Sequence, residues 1–263
     1  MPHDFAIPGD WLTLAVLFVV GGVASAINTV AGGGSLLSFP SLIGFGVPSV
    51  EANATNAASL WPGSIGGAFG FRNLLSVAGH HLKTLLPPTL IGSVLGAWIL
   101  IHSSPKSFDF AVPFLILLAS LMLAFQARIK SWSIRHSREV SPLAGIVIQF
   151  FVALYGGYFG AGMGLMMLAS FTLYIEGTIH ELNAMKVWLG LVINFAATVL
   201  FLISGKVLLV ACLAMALGGI LGGYLAAVLS QKVDSEKLRI AIAVYGFAMS
   251  VYFFYRLVQS NLI

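Results

Sequence analysis

Charged side chains are missing from eight long stretches of this chain, and that absence limits what it can fold into. The stretches are Trp11–Val50, Ala52–Phe71, Thr84–Pro105, Phe110–Ala127, Val140–Ile175, Val187–Gly205, Val207–Gln231 and Ile240–Tyr255. A spanning helix needs about 20 apolar residues, at ~1.5 Å each, to cross ~30 Å of hydrocarbon. Six stretches suit one helix apiece. The first and fifth are about twice that length, and each opens one half of the chain. Barrel strands would appear as roughly ten-residue alternating segments, and nothing here alternates that way. Hydrophobic residues make up 59% and charged residues 8%, against roughly 25% charge in soluble domains. A soluble ball of this composition would expose large apolar patches, and disorder requires the opposite composition. The expectation is an all-α, polytopic bundle of transmembrane helices. It lies in the cell membrane, the inner membrane in a bacterium, with the lipid bilayer as its solvent and no separate catalytic domain.

The remaining composition narrows the function. Residues 1–10 carry Asp4 and Asp10 and no Lys or Arg, unlike the positive start of a signal peptide. Cys212 is the single cysteine, set in an apolar run, and reads as a small buried hydrophobe. His80 and His81 form the only histidine pair, and adjacent residues point to different sides of a helix, so no metal site is expected. A net charge of +4 does not imply nucleic acid, because the basic residues cluster in short loops, where they set membrane orientation. No G-x-x-x-x-G-K-[ST] phosphate loop is present, and no cofactor is implied. Clustered nucleophiles or acid–base residues are absent from the apolar stretches, which speaks against an enzyme acting within the membrane.

The chain also repeats itself. Val30-Ala31-Gly32-Gly33-Gly34-Ser35-Leu36-Leu37 interrupts the first long stretch, and Phe159-Gly160-Ala161-Gly162-Met163-Gly164-Leu165-Met166 interrupts the other. Downstream, Asn53-Ala54-Thr55-Asn56 lines up with Asn183-Ala184-Met185-Lys186. Gly92 to Ala97 lines up with Gly218 to Gly223. The expected organisation is a first half over 1–127, a basic cytoplasmic linker over 128–141, and a second half over 142–263. Eight or ten membrane segments fit, depending on whether each long stretch crosses once or twice. Eight crossings make the halves parallel and put Arg72, Lys83, Arg128, Lys130, Arg135, Arg138, Lys206 and Arg256 inside. Ten crossings make them inverted and leave only Lys106, Lys206 and Arg256 outside, which the positive-inside rule favours.

Glycine in a membrane helix serves either close packing or a break. Gly92/Gly96, Gly218/Gly222 and Gly219/Gly223 fit packing through small residues. Gly32, Gly33 and Gly34, and likewise Gly160, Gly162 and Gly164, interrupt overlong segments at matching places, with Pro40 reinforcing the first. Freed backbone groups at such breaks are tolerated only where protein or a cavity satisfies them, and paired breaks are the best pointer to a transporter's binding site. A helix restarting after a break presents free N–H groups and a positive dipole end, which suits an anion. Ser35, Asn53, Thr55, Asn56, Asn183 and Lys186 add polar groups to that candidate site. Lys186 is its one cation, either a ligand for the anion or a lysine snorkelling at a helix end. Asn28 and Asn194 read as hydrogen-bonding groups between helices.

The doubled pattern of a glycine-rich break followed by a polar quartet resembles the TauE/SafE sulfite-exporter family of membrane transporters. The residues that carry the resemblance are Ala31 to Gly34, Asn53 to Asn56, Gly160 to Gly164 and Asn183 to Lys186, and it covers roughly Gly21 to Gly246. It departs from a plain triple glycine at Ala161 and Met163. The resemblance implies transport, often outward, of a small anion such as sulfite, a sulfonate or a similar organic anion. A homo-oligomer is compatible with it. Against this stand a membrane enzyme and a structural membrane subunit.

Overall fold

The computed structural model describes residues 11–30, 33–70, 75–136, 140–229 and 235–261. Gly32, Arg72 and Arg138 lie outside the described residues. The described residues form eleven helices, as expected of backbone that must satisfy its own hydrogen bonds in hydrocarbon. They are α1 (Trp11–Val30), α2 (Ser35–Gly44), α3 (Ser49–Gly70), α4 (Leu75–His102), α5 (Pro105–Ala124), α6 (Gln126–Arg135), α7 (Pro142–Tyr158), α8 (Met163–Tyr174), α9 (Ile179–Ile203), α10 (Leu209–Leu229) and α11 (Ser235–Asn261).

Among the described residues, six helices are long and apolar enough to cross a membrane: α1, α4, α5, α9, α10 and α11. The stretch expected from Ala52 forms one helix as far as Gly70, α3, but it is not among the six. Its 22 residues carry Glu51, Asn53, Thr55 and Asn56 in the first two turns, and these lower its hydropathy. The two double-length stretches each divide at their glycines, into α1 and α2 and into α7 and α8. The second member is short, 10 residues in α2 and 12 in α8, or about 15–18 Å of helix.

Each short helix doubles back on its longer neighbour. The N–H of Val140, just before α7, donates to the carbonyl of Leu173 near the end of α8, at 3.3 Å. Gly145 near the start of α7 faces the ring of Tyr174, so α7 and α8 run antiparallel. In the first half, Gly34 at the head of α2 sits against Ala24, ten residues back along α1.

The predicted packing glycines are where backbones meet. A Cβ on Gly96 of α4 would lie 2.0 Å from the Leu154 carbonyl oxygen of α7. One on Gly222 of α10 would lie 2.0 Å from the Gly22 oxygen of α1, and one on Gly218 1.8 Å from the Phe18 oxygen. The pairs α1–α10 and α4–α7 both run parallel and pack closely, while α3 and α9 fill the space between them. Ser250 of α11 donates to the Pro113 carbonyl of α5 at 2.9 Å, and Gly246 lies on Ser120, so α5 and α11 are antiparallel. Phe39 of α2 meets Phe108 of α5 and Phe159 edge-on, at 6.4 and 5.5 Å between centroids. This aromatic cluster ties the first short helix to the second break. Large apolar side chains such as Leu143, Ile203 and Val251 face outward, which suits lipid.

Candidate substrate site at the two helix breaks

The first break turns on Gly33, whose φ of 88° lies in the left-handed region that glycine enters without strain. The freed N–H of Gly34 donates to Asn28 Oδ1 at 2.7 Å. Ser38, one turn into α2, reaches the Gly34 carbonyl at 3.2 Å and also bonds the Asn56 Oδ1 of α3. Asn56 is thus fastened to the first turn of the short helix.

The second break uses two left-handed glycines, Gly160 at 80° and Gly162 at 78°. Gly162 caps α8 with no side-chain hydrogen bond. Tyr155 donates from its hydroxyl to the Ala161 carbonyl at 2.6 Å, and the Met163 N–H is taken by the Gly160 carbonyl at 3.2 Å. The N–H of Gly164 meets no acceptor among the described residues. The stem of Lys186 on α9 lies over that same turn, with Cδ 3.5 Å from where a Gly164 Cβ would stand. Lys186 is half-buried, and its ammonium makes no ion pair or hydrogen bond among the described residues.

The structure therefore joins the fourth residue of each polar quartet to the first turn of the short helix in its own half: Asn56 to α2 and Lys186 to α8. Asn53 crosses between halves, donating from Nδ2 to the Tyr158 carbonyl beside the second break at 2.9 Å. Thr55 is turned elsewhere, accepting the Leu208 N–H at 3.0 Å ahead of α10. Ser35 and Asn183 are half-buried, and their side chains have no hydrogen-bond partner among the described residues.

Asn28, expected to hydrogen-bond between helices, instead serves the break six residues ahead of it. Two contributors escape a sequence reading: Ser38, which links Gly34 to Asn56, and Tyr155, which holds the Ala161 carbonyl. For Asn28 a signal exists, since it is a lone amide just before the glycines. Ser38 and Tyr155 carry none, because their partners depend on how the chain folds back. The Glu51–Lys206 ion pair, 2.7 Å long, joins residues 155 positions apart and is equally invisible in sequence.

The sequence pattern of the family described as "Sulfite exporter TauE/SafE" matches residues 17–253, a range that contains both breaks and both quartets. This chain belongs to the TauE/SafE family. A "Probable membrane transporter protein" of Haemophilus influenzae is 29% identical over 237 residues, covering 90% of this chain and 92% of that protein. "Probable membrane transporter protein YfcA" of Escherichia coli K12 is 26% identical over 246 residues, covering 93% and 90%. "Probable membrane transporter protein ORF9" of a Sinorhizobium species is 26% identical over 245 residues. No solved structure matches the chain. This TauE/SafE protein is thus a multi-pass member of a transporter family, not an enzyme.

Proposed function

We propose that this TauE/SafE protein is a secondary transporter that moves a small anion, sulfite or a sulfonate or a similar organic anion, outward across the cytoplasmic membrane. The observation that carries the proposal is Lys186 laid over Gly164. An ammonium and an N–H that both lack a partner among the described residues meet the positive end of α8 at one helix start. Together they form a donor set for an anion. In the first half the corresponding position, Asn56, is neutral and already bonded to Ser38. The charged half-site is therefore in the second half.

The transport reading includes two inverted halves, 1–127 and 142–263, with the 128–141 linker in the cytoplasm and ten membrane segments, of which α2 and α8 are short. Two contacts support inversion. Ten crossings put Glu51 and Lys206 on the same membrane face, whereas eight crossings put them on opposite faces, and they are ion-paired at 2.7 Å. The Val140–Leu173 hydrogen bond likewise needs α8 to return to the face where α7 began. The reciprocal packing of α1 on α10 and α4 on α7 is what exchange of two such halves produces.

The test is flux in proteoliposomes containing the purified chain, with radiolabelled sulfite, a short alkyl sulfonate, a carboxylate and a neutral sugar as probes. Saturable movement of one or more anions, and none of the sugar, is expected. Movement of none of the anions above protein-free vesicles would overturn the proposal.

A further inference from the structure

The stretch expected to be a plain linker contains a helix with two unlike faces. Helix α6 begins two residues after α5 ends, and Phe125 closes one and opens the other. Because α5 is a membrane span, α6 starts at the level of the lipid headgroups. Gln126, Ile129 and Ser133 face α8, where with Leu165, Leu168 and Thr172 they line a cavity of about 20 Å³. At 100° per residue, Arg128, Ser131 and Arg135 fall on the opposite face, and all three are exposed.

This outer face combines charge with amphipathic rings. Trp132 is 50% exposed and Ile134 49%, one on each flank of the arginines. Arg128 stacks on the Phe125 ring with 5.6 Å to its centroid. Among the described residues, Arg135 bonds only the Ser131 carbonyl of its own helix. Neither arginine has an acidic partner among the described residues, and no Asp or Glu occurs between Asp109 and Glu139. Basic residues with Trp and an aliphatic neighbour are the composition of helices that lie in a membrane interface. Arginine also matches phosphate oxygens with paired N–H groups.

We infer that α6 is an interfacial lipid-binding helix, whose Arg128–Arg135 face takes the phosphate groups of anionic phospholipids. Its other face presses on α8, so bound lipid ties α8 to the bilayer surface. Anionic lipid thereby stabilises the helix whose first turn carries Gly164. The inference is independent of which anion is carried.

The experiment measures the melting temperature of the purified full chain in zwitterionic detergent, with added phosphatidylglycerol or phosphatidylcholine at equal mole fraction. Phosphatidylglycerol should raise it by several degrees beyond phosphatidylcholine. That increment should shrink at ~0.5 M salt, where screening acts over a few ångströms. The Arg128→Gln/Arg135→Gln variant should lose it, and Arg128→Lys/Arg135→Lys should keep most of it. Arg256→Gln, an exposed arginine on α11, should keep all of it. Equal shifts with the two lipids would overturn the inference, as would a phosphatidylglycerol increment that survives in the double glutamine variant. If that variant does not fold, the salt dependence in the wild-type chain decides: an increment insensitive to salt overturns the inference.

Discussion

Lys206 donates from Nζ to Glu51 Oε1 at 2.7 Å, joining the turn after α9 to the first turn of α3. The contact bridges the two halves, and Thr55 reinforces it one turn further on by accepting the Leu208 N–H. Both residues are expected on the outer face of the membrane. Cysteine at Glu51 or at Lys206, in a Cys212→Ser background, should be labelled by an impermeant thiol reagent added to intact cells. Labelling of the two positions from opposite faces would restore the eight-segment arrangement. Because the pair is partly exposed, its coupling energy in a double-mutant cycle should be modest, about 1 kcal/mol.

The opposite face is reported by α6. Ser131 is exposed, whereas Ser133 is 1% exposed against α8, so a cysteine at Ser133 would resist labelling from either side. Ser131→Cys should stay unlabelled in intact cells and react once they are permeabilised. Labelling without permeabilisation would put α6 outside.

The breaks separate two uses of glycine. Gly162 has φ 78°, and a Cβ there meets nothing nearer than 3.5 Å, so its requirement is conformational. Gly162→Val should abolish transport while the protein still inserts, at a backbone cost of roughly 1–3 kcal/mol. Gly162→Asn should retain activity, because asparagine tolerates the left-handed region. Gly33→Val should behave like Gly162→Val. Gly222→Ala meets the Gly22 carbonyl oxygen at 2.0 Å and should lower the yield of folded protein instead. Flux and monodispersity measured on the same preparations distinguish the two patterns.

Much of this was legible in the sequence, for identifiable reasons. Long uncharged stretches announce membrane helices because burying charge in lipid is costly. The glycine runs announced where α1 and α7 end, because their matched positions within overlong stretches had no helical explanation. The polar quartets were legible as a pair, but their partners were not. Asn53 reaches Tyr158 and Thr55 reaches Leu208 only through long-range packing. Helix α6 was concealed because Ile129 is the one apolar residue between Gln126 and Ser133 on the face turned to α8, too slight a pattern to stand out among arginines.

The side chains that hold freed backbone groups should matter in proportion. Tyr155→Phe removes the hydroxyl bonded to Ala161 O, and Asn28→Ala removes the acceptor of the Gly34 N–H. Each leaves a backbone group unsatisfied and should cost about 1–3 kcal/mol. A lowered melting temperature in detergent and slower flux would register it. An unchanged melting temperature in both variants would mean that other groups satisfy the breaks.

Lys186 over Gly164 is the proposed anion contact, and its charge can be removed or kept by substitution. Affinity for the anion that the wild-type chain carries fastest is measured in proteoliposomes, at equal protein density, for wild type, Lys186→Gln and Lys186→Arg. Glutamine keeps hydrogen bonding and deletes the charge. The loss should therefore exceed the roughly 0–1 kcal/mol of an exposed pair and reach about 3–5 kcal/mol if the site is dehydrated. Arginine keeps the charge with altered geometry and should retain partial affinity. Unchanged affinity in Lys186→Gln would contradict the account and reduce Lys186 to a lysine snorkelling from α9.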